Sequence, residues 1–327
     1  LPLAHAYSCA FNLLVPMAFG VHVYLLGKVP SPKILLKAFE EVKPNLILMV
    51  PLILEKIYKK MILPQLNKRT LKLALNIPLL DSRIYAQIRK HLVDALGGRF
   101  REVIVGGAAM NQEVTDFLYK IKFPFTIGYG MTECGPLISY DHNNEYVPGS
   151  CGQILKGIMK VRIDSEDPYN KVGEIQVSGE NGYYKNDEAT QNVFTEDGWL
   201  RTGDLGTIDH DNRIFIRGRS KTMILGASGQ NIYPEEIESK LNNLPFVMES
   251  LVVEKNGKLI GMVYPDYDTV DSTGISHTDL PVIMEQNRIE LNKLLAPYET
   301  ISEIQLYPTE FEKTPKKSIK RYLYSNY

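Results

Sequence analysis

Gly128-Tyr-Gly-Met-Thr-Glu133, entered from Phe123-Pro-Phe-Thr-Ile127, is the stretch on which the fold turns. Its approach is β-prone and apolar, which predicts a buried strand ending where the glycine-containing hexapeptide begins. Ligands of open α/β sheets bind just beyond the carboxyl ends of strands. The two glycines let the backbone turn and approach a ligand closely. Between them Tyr129 offers a flat face, and Thr132 and Glu133 add a hydroxyl and a carboxylate. A planar base, a phosphate and a hard metal ion would together use all three groups. The same six residues also fit a plain strand-to-turn junction with a core tyrosine.

Outward from this stretch, strand and helix signals alternate. Val21 to Leu26 reads as a strand. Ser31 then caps a helix over Pro32 to Val42, with proline at its first position. Leu46 to Val50 is a second strand and Leu52 to Met61 a second helix. A helix-rich stretch runs on to Leu96, where Gly97-Gly98 ends it. Glu102 to Val105 is a further strand, closed by Gly106-Gly-Ala-Ala109, and Asn111 caps a helix to Lys120. Alternation of this kind predicts an α/β fold with a doubly wound parallel sheet over residues 1–146. The loops 106–109 and 128–133 should lie at one edge of it.

The texture changes near Val147. Short β segments over Ile158 to Ile163, Gly173 to Ser178, Leu205 to Ile208 and Arg213 to Arg217 are separated by turn clusters such as Asp164-Ser-Glu-Asp-Pro168. They predict a small β-rich subdomain over 147–220. From 221 to 327 a C-terminal α+β domain is expected. Its helices lie near Pro234 to Asn242 and Met284 to Leu295, and its strands over Val247 to Glu254, Leu259 to Val263 and Ile301 to Leu306.

Composition limits the function. With 327 residues, 44% of them apolar, 23% charged and a net charge of −1, the chain resembles a globular enzyme of two to three domains. Near-neutrality gives no electrostatic case for nucleic acid or an anionic membrane. The cysteines, Cys9, Cys134 and Cys151, are odd in number and far apart. That spacing points to a reducing, cytoplasmic setting rather than a disulfide frame or zinc site. The longest apolar run, Leu46 to Leu54, is broken by Pro51, so no integral membrane segment is expected. The chain opens at Leu1 without methionine and reads as a piece of a longer protein.

Further motifs follow in order. They are Gly149-Ser-Cys-Gly-Gln153, Gly173-Glu-Ile-Gln-Val-Ser-Gly179 and Gly182-Tyr-Tyr-Lys-Asn-Asp-Glu-Ala-Thr190. Asp197-Gly-Trp-Leu-Arg-Thr-Gly-Asp204, Ile216-Arg-Gly-Arg-Ser-Lys-Thr-Met-Ile224 and Gly229-Gln-Asn-Ile-Tyr-Pro-Glu-Glu-Ile237 complete the set. In this order and spacing the whole chain resembles the adenylate-forming superfamily of acyl-CoA synthetases, firefly luciferase and peptide-synthetase adenylation domains. Leu1-Pro-Leu-Ala-His-Ala-Tyr7 and Val50-Pro-Leu-Ile-Leu-Glu-Lys-Ile57 look most like bacterial long-chain fatty acid–CoA ligases, of which this would be the C-terminal three-fifths.

The resemblance implies a two-step reaction. A long-chain fatty acid and MgATP give acyl-AMP and pyrophosphate, and coenzyme A then displaces AMP. A ligase that loads an acyl carrier protein, or a non-catalytic relic, are the alternatives. By the same resemblance Glu133 holds Mg²⁺, Thr132 donates to the α-phosphate and Tyr129 stacks on adenine. Gly106, Gly107 and Ala108 form the other wall, beside Gly128 and Gly130. Asp204 and Arg219 take the ribose. Lys221 is the hinge of a mobile C-terminal domain, and the loop 226–231 lines the pantetheine channel. His5 corresponds to a histidine near the acyl pocket, which Tyr7, Phe11 and Met17 would line. Two departures stand out. The family's glycine-rich phosphate loop is absent, so the chain as it stands should bind ATP poorly. Near the end, Thr314-Pro-Lys-Lys-Ser-Ile-Lys-Arg321 puts Ser318 where a catalytic lysine is expected, leaving Lys317 to substitute, with Lys320 as its rival.

Overall fold

Strands β1 (Leu46–Met49), β2 (Glu102–Val105) and β3 (Phe125–Ile127) form a parallel sheet in that order in the computed structural model. Residues 3–27, 31–66, 68–75, 77, 80–178, 186–226, 229–314 and 318–324 are described. Leu46 pairs with Glu102 and Met49 with Val105, while Val103 faces Phe125 and Val105 faces Ile127. These strands read as apolar runs because helices cover them. Val103, Val105 and Phe125 are buried, as are Leu54, Leu96 and Leu118 on the packing helices. The expected α/β class is the one found.

Local chemistry fixes the helix ends. Ser31 Oγ accepts from Ile34 N–H at 3.4 Å to open the helix Pro32–Val42, and Asn111 Oδ1 accepts from Val114 N–H at 3.3 Å to open Gln112–Lys120. Helix Leu80–Ala95 stops before Gly97 and Gly98, both at positive φ. The helix expected over Leu52 to Met61 begins one residue earlier, at Pro51, is π-wound over Tyr58–Ile62 and continues through Leu63–Leu66.

Val21 to Leu26 is a correction. Residues 21–27 have no regular structure, and Val21, Tyr24 and Leu25 are exposed. β propensity reports fitness for a paired, half-buried surface, and no described strand lies alongside to supply the partner. Residues 6–18 before it are helical instead, with a π-wound turn over Ala10–Leu14.

Beyond residue 150 lies a four-stranded antiparallel sheet, β4 (Lys160–Asp164), β5 (Gly173–Ser178), β6 (Leu200–Ile208) and β7 (Ile214–Arg219), in sequential order. Its core of Ile163, Ile175, Val177, Leu200 and Ile214 also takes in Tyr129. After the short hairpin of β8 (Ile224–Leu225) and β9 (Asn231–Ile232) comes a third sheet of β10 (Val247–Lys255), β11 (Lys258–Pro265) and β12 (Ile301–Leu306). Here β10 and β11 are antiparallel and β11 and β12 parallel. Helices Pro234–Leu241 and Leu280–Asn292 supply Ile237, Leu241, Met284 and Leu291 to the core under it. This last unit meets the first through polar contacts. Lys59 Nζ donates to Asn242 O at 2.7 Å, and Asn111 Nδ2 to Ser239 O at 2.9 Å and Asn243 Oδ1 at 2.8 Å. Among the described residues no helix is long and apolar enough to cross a membrane.

Candidate active site

The parallel sheet ends in two loops that meet. Gly128 N–H donates to Val105 O at 2.9 Å, which ties the loop after β3 to the end of β2. A cavity of about 290 Å³ opens there. Gly106, Gly107, Gly128, Tyr129, Gly130 and Thr132 form its head, and His5, Tyr7 and Phe11 of the first helical segment roof it. Leu46 and Leu48 of β1, Glu102 and Ile104 of β2, and Leu137 and Tyr140 complete the wall.

Backbone geometry accounts for two of the glycines. Gly107 sits at φ +89°, a left-handed conformation that side chains disfavour. A Cβ on Gly130 would lie 1.8 Å from Pro136 O, so the loop folds back on its own chain too tightly for any side chain. Close approach of the backbone to itself, not only to a ligand, therefore demands glycine at 130.

Tyr129 is 7% exposed, with its backbone bridged to Ser139. Its hydroxyl donates to Asp204 Oδ2 at 2.8 Å. Burial, then the nearby Asp204 charge, pushes the phenol well above its ordinary pKa and keeps it a donor. Asp204 and Arg219 are register partners across β6 and β7. Arg219 Nε lies 3.0 Å from Asp204 Oδ1, so the carboxylate receives one donor on each oxygen. The structure thus brings Tyr129, Asp204 and Arg219 into one contact chain, of which only Tyr129 reaches the cavity wall.

Other expected residues are placed as follows. Thr132 lines the cavity and Glu133 follows it in the 3₁₀ turn Thr132–Cys134. Ala108 is exposed beside Gly107, and Lys221 is exposed just past β7. His5 lines the cavity, and its Nδ1 accepts from Tyr7 N–H at 3.3 Å. Tyr7 and Phe11 line it too, whereas Met17 is 66% exposed and does not, because the helical segment turns it away. Lys317 falls outside the described residues, as do 227–228 of the loop 226–231 and 182–185 of the Gly182 motif. Sequence reasoning missed Glu102, Leu46, Leu48 and Tyr140. Strand geometry, which puts alternate residues on one face, could have grouped the strand residues once β1 and β2 were assigned.

Chemically, the head of the cavity offers an aromatic ring and a hydroxyl, with the buried Asp204 carboxylate behind Tyr129. The tail is largely apolar.

A family model described as AMP-binding enzyme matches residues 1–184, more than half of the chain. The chain is 32% identical over 346 residues to the peroxisomal long chain acyl-CoA synthetase 6 of Arabidopsis thaliana, covering 96% of this chain and 48% of that one. It is 30% identical over 336 residues to the 4-coumarate–CoA ligase of Humulus lupulus, covering 98% and 54%. Among solved structures, the O-succinylbenzoate coenzyme A synthetase of Bacillus subtilis in complex with AMP superposes with a TM-score of 0.70 at 21% identity, covering 98% of this chain and 59% of that one. The chain spans about half the length of the curated relatives it matches. With that match and the glycine-walled cavity together, the chain belongs to the AMP-binding enzyme family.

Proposed function

We propose that the full-length protein carrying this chain is an ATP-dependent fatty acid–CoA ligase, long-chain by its motifs, that forms acyl-AMP and then the thioester. The observation that carries this reading is the convergence of Tyr129, Asp204 and Arg219 beside the cavity head walled by Gly106, Gly128 and Thr132. The donor set fits the nucleotide: Asp204 has two oxygens for the ribose hydroxyls, Arg219 neighbours them, and the loops 106–108 and 128–130 leave a slot for the base. Glu133 supplies one carboxylate beside Thr132, which suits Mg²⁺ because that ion typically takes one or two carboxylates plus phosphate oxygens. The apolar tail of the cavity favours a hydrocarbon acid, as do the names of several relatives. Charge developing on the α-phosphate is met by fixed donors and a cation rather than by a general base.

The test is direct. Full-length protein is incubated with a fatty acid, MgATP and either coenzyme A or an acyl carrier protein, and the products are weighed. Acyl-CoA is the expected product; acylated carrier protein would transfer the reading to the carrier-loading class. No pyrophosphate release with any acid would overturn it.

Tyr129→Phe keeps the ring and removes the donor to Asp204 Oδ2. A hydrogen bond to a charged group of this kind is worth about 1.5–3 kcal/mol when lost outright. Asp204 keeps Arg219, so the expected weakening of ATP binding is only about three- to tenfold. The preference for ATP over 2′-deoxy-ATP should shrink with it, and an unchanged preference in a titration would detach the hydroxyl from ribose recognition.

We also propose the boundaries 1–146, 147–220 and 221–327, with Lys221 as the hinge of a mobile last domain. Its support is that residues 232–301 enclose a core of their own and that the contacts given above with the first unit are polar. Such contacts can be exchanged with water at small cost. Lys221→Pro should therefore slow thioester formation more than pyrophosphate exchange; equal loss of both would count against the hinge.

A further inference from the structure

Among the described residues that line the cavity, Glu102 is the only acid. Strands present alternate residues to one face, and the cavity takes Leu46 and Leu48 from β1 and Glu102 and Ile104 from β2. It therefore runs along one face of the sheet, from the carboxyl ends at Gly106, Gly128 and Thr132 toward the amino ends at Leu46 and Glu102. Four residues of extended chain separate Gly106 from Glu102, a span of about 13 Å. Between these ends Leu48 and Ile104 line the sheet face, Tyr7 donates its hydroxyl to Ile104 O at 3.2 Å, and Phe11 also lines the cavity, while Leu137 lies against Gly128 at the head.

Glu102 is 8% exposed and firmly held. Tyr140 Oη donates to its Oε1 at 2.6 Å, and Asn143 donates to its Oε2 from N at 3.1 Å and from Nδ2 at 3.2 Å. Tyr140 is itself part of the wall. An apolar channel whose head is the reaction centre thus has a fixed carboxylate at its far end. Methylene groups gain by leaving water until the chain reaches that carboxylate. A methyl terminus brought against it would place hydrocarbon beside a buried charge and return no hydrogen bond.

We infer that Glu102 is a specificity-determining residue: it sets the upper length of the unsubstituted acyl chain, and it accepts a hydrogen bond from an acid that carries a hydroxyl at the limiting position. The inference rests on the ligase reading above. It adds which residue ends the acyl site and which substituent that end prefers. Oε1 accepts from Tyr140, has His142 Nδ1 at 3.7 Å, and retains acceptor capacity for a further donor.

The experiment uses full-length protein and saturated acids of increasing length, each paired with its ω-hydroxy analogue, with kcat/KM for pyrophosphate release as the readout. In the wild type, kcat/KM should fall at least tenfold at one chain length, and at that length the ω-hydroxy acid should exceed its parent by at least fivefold. In Glu102→Leu the fall should move to longer chains and the hydroxyl preference should invert. A Glu102→Leu profile that superposes on the wild type overturns the inference. So does a wild type that shows no hydroxyl preference at any length, a comparison that needs no variant to fold. A wild type that releases pyrophosphate with no acid overturns the ligase reading itself, and this inference with it.

Discussion

Lys317→Ala in the full-length protein is expected to slow acyl-adenylate formation by roughly 10²–10³-fold, the usual loss for one donor to transition-state charge. Thioester formation from supplied acyl-AMP should change little. The physical need is for a cation near the α-phosphate and the substrate carboxylate while charge gathers there. Ser318 stands where the resemblance expects that lysine, and a hydroxyl carries no charge. Lys317 lies outside the described residues. Lys320 is already committed, with Nζ 3.1 Å from Glu312 Oε2. Lys317 is the candidate by its sequence position, one residue from Ser318, since a lysine reaches as a mobile point charge and tolerates a one-residue displacement. Normal adenylation by Lys317→Ala, together with acceleration by Ser318→Lys, would show that the position is simply degraded.

Asp204→Ala should weaken ATP binding by roughly ten- to hundredfold, because hydrogen bonds to a charged group are worth about 1.5–3 kcal/mol. Three partners are affected together. The ribose hydroxyls lose two acceptors, Tyr129 Oη loses the acceptor at 2.8 Å, and Arg219 loses its ion pair at 3.0 Å. Arg219 is largely exposed and can turn to water. Tyr129 is buried, so part of the loss should appear as a lower melting temperature of the free protein. Titration of nucleotide at fixed temperature, alongside thermal unfolding without it, separates the two. Unchanged affinity with lowered stability would leave Asp204 a structural partner of Tyr129 and remove it from the nucleotide site.

Much of the architecture was legible because its signals are local. Glu102–Val105 and Phe125–Ile127 are apolar runs bounded by glycine, proline or a polar cap, and both strands begin and end where the pattern said. Ser31 and Asn111 were readable as caps because an N-cap is a contact between a side chain and a backbone three residues on. Val21 to Leu26 failed for the complementary reason. A strand is completed by a neighbour, and propensity says nothing of whether one arrives.

The candidate site divides along the same line. The sequence by itself determined the candidates, Tyr129, Thr132, Glu133, Asp204 and Arg219 among them, since motif order and spacing are properties of one dimension. Only the tertiary structure decided that Tyr129 closes onto Asp204, that Arg219 meets the same carboxylate through strand register, and that Gly130 is demanded by Pro136. It alone showed Glu102, which in sequence is an ordinary polar residue opening a strand, to line an apolar cavity. Those facts depend on contacts between residues 6 to 75 positions apart in the chain, and packing is settled by burial and register in three dimensions rather than by any local preference.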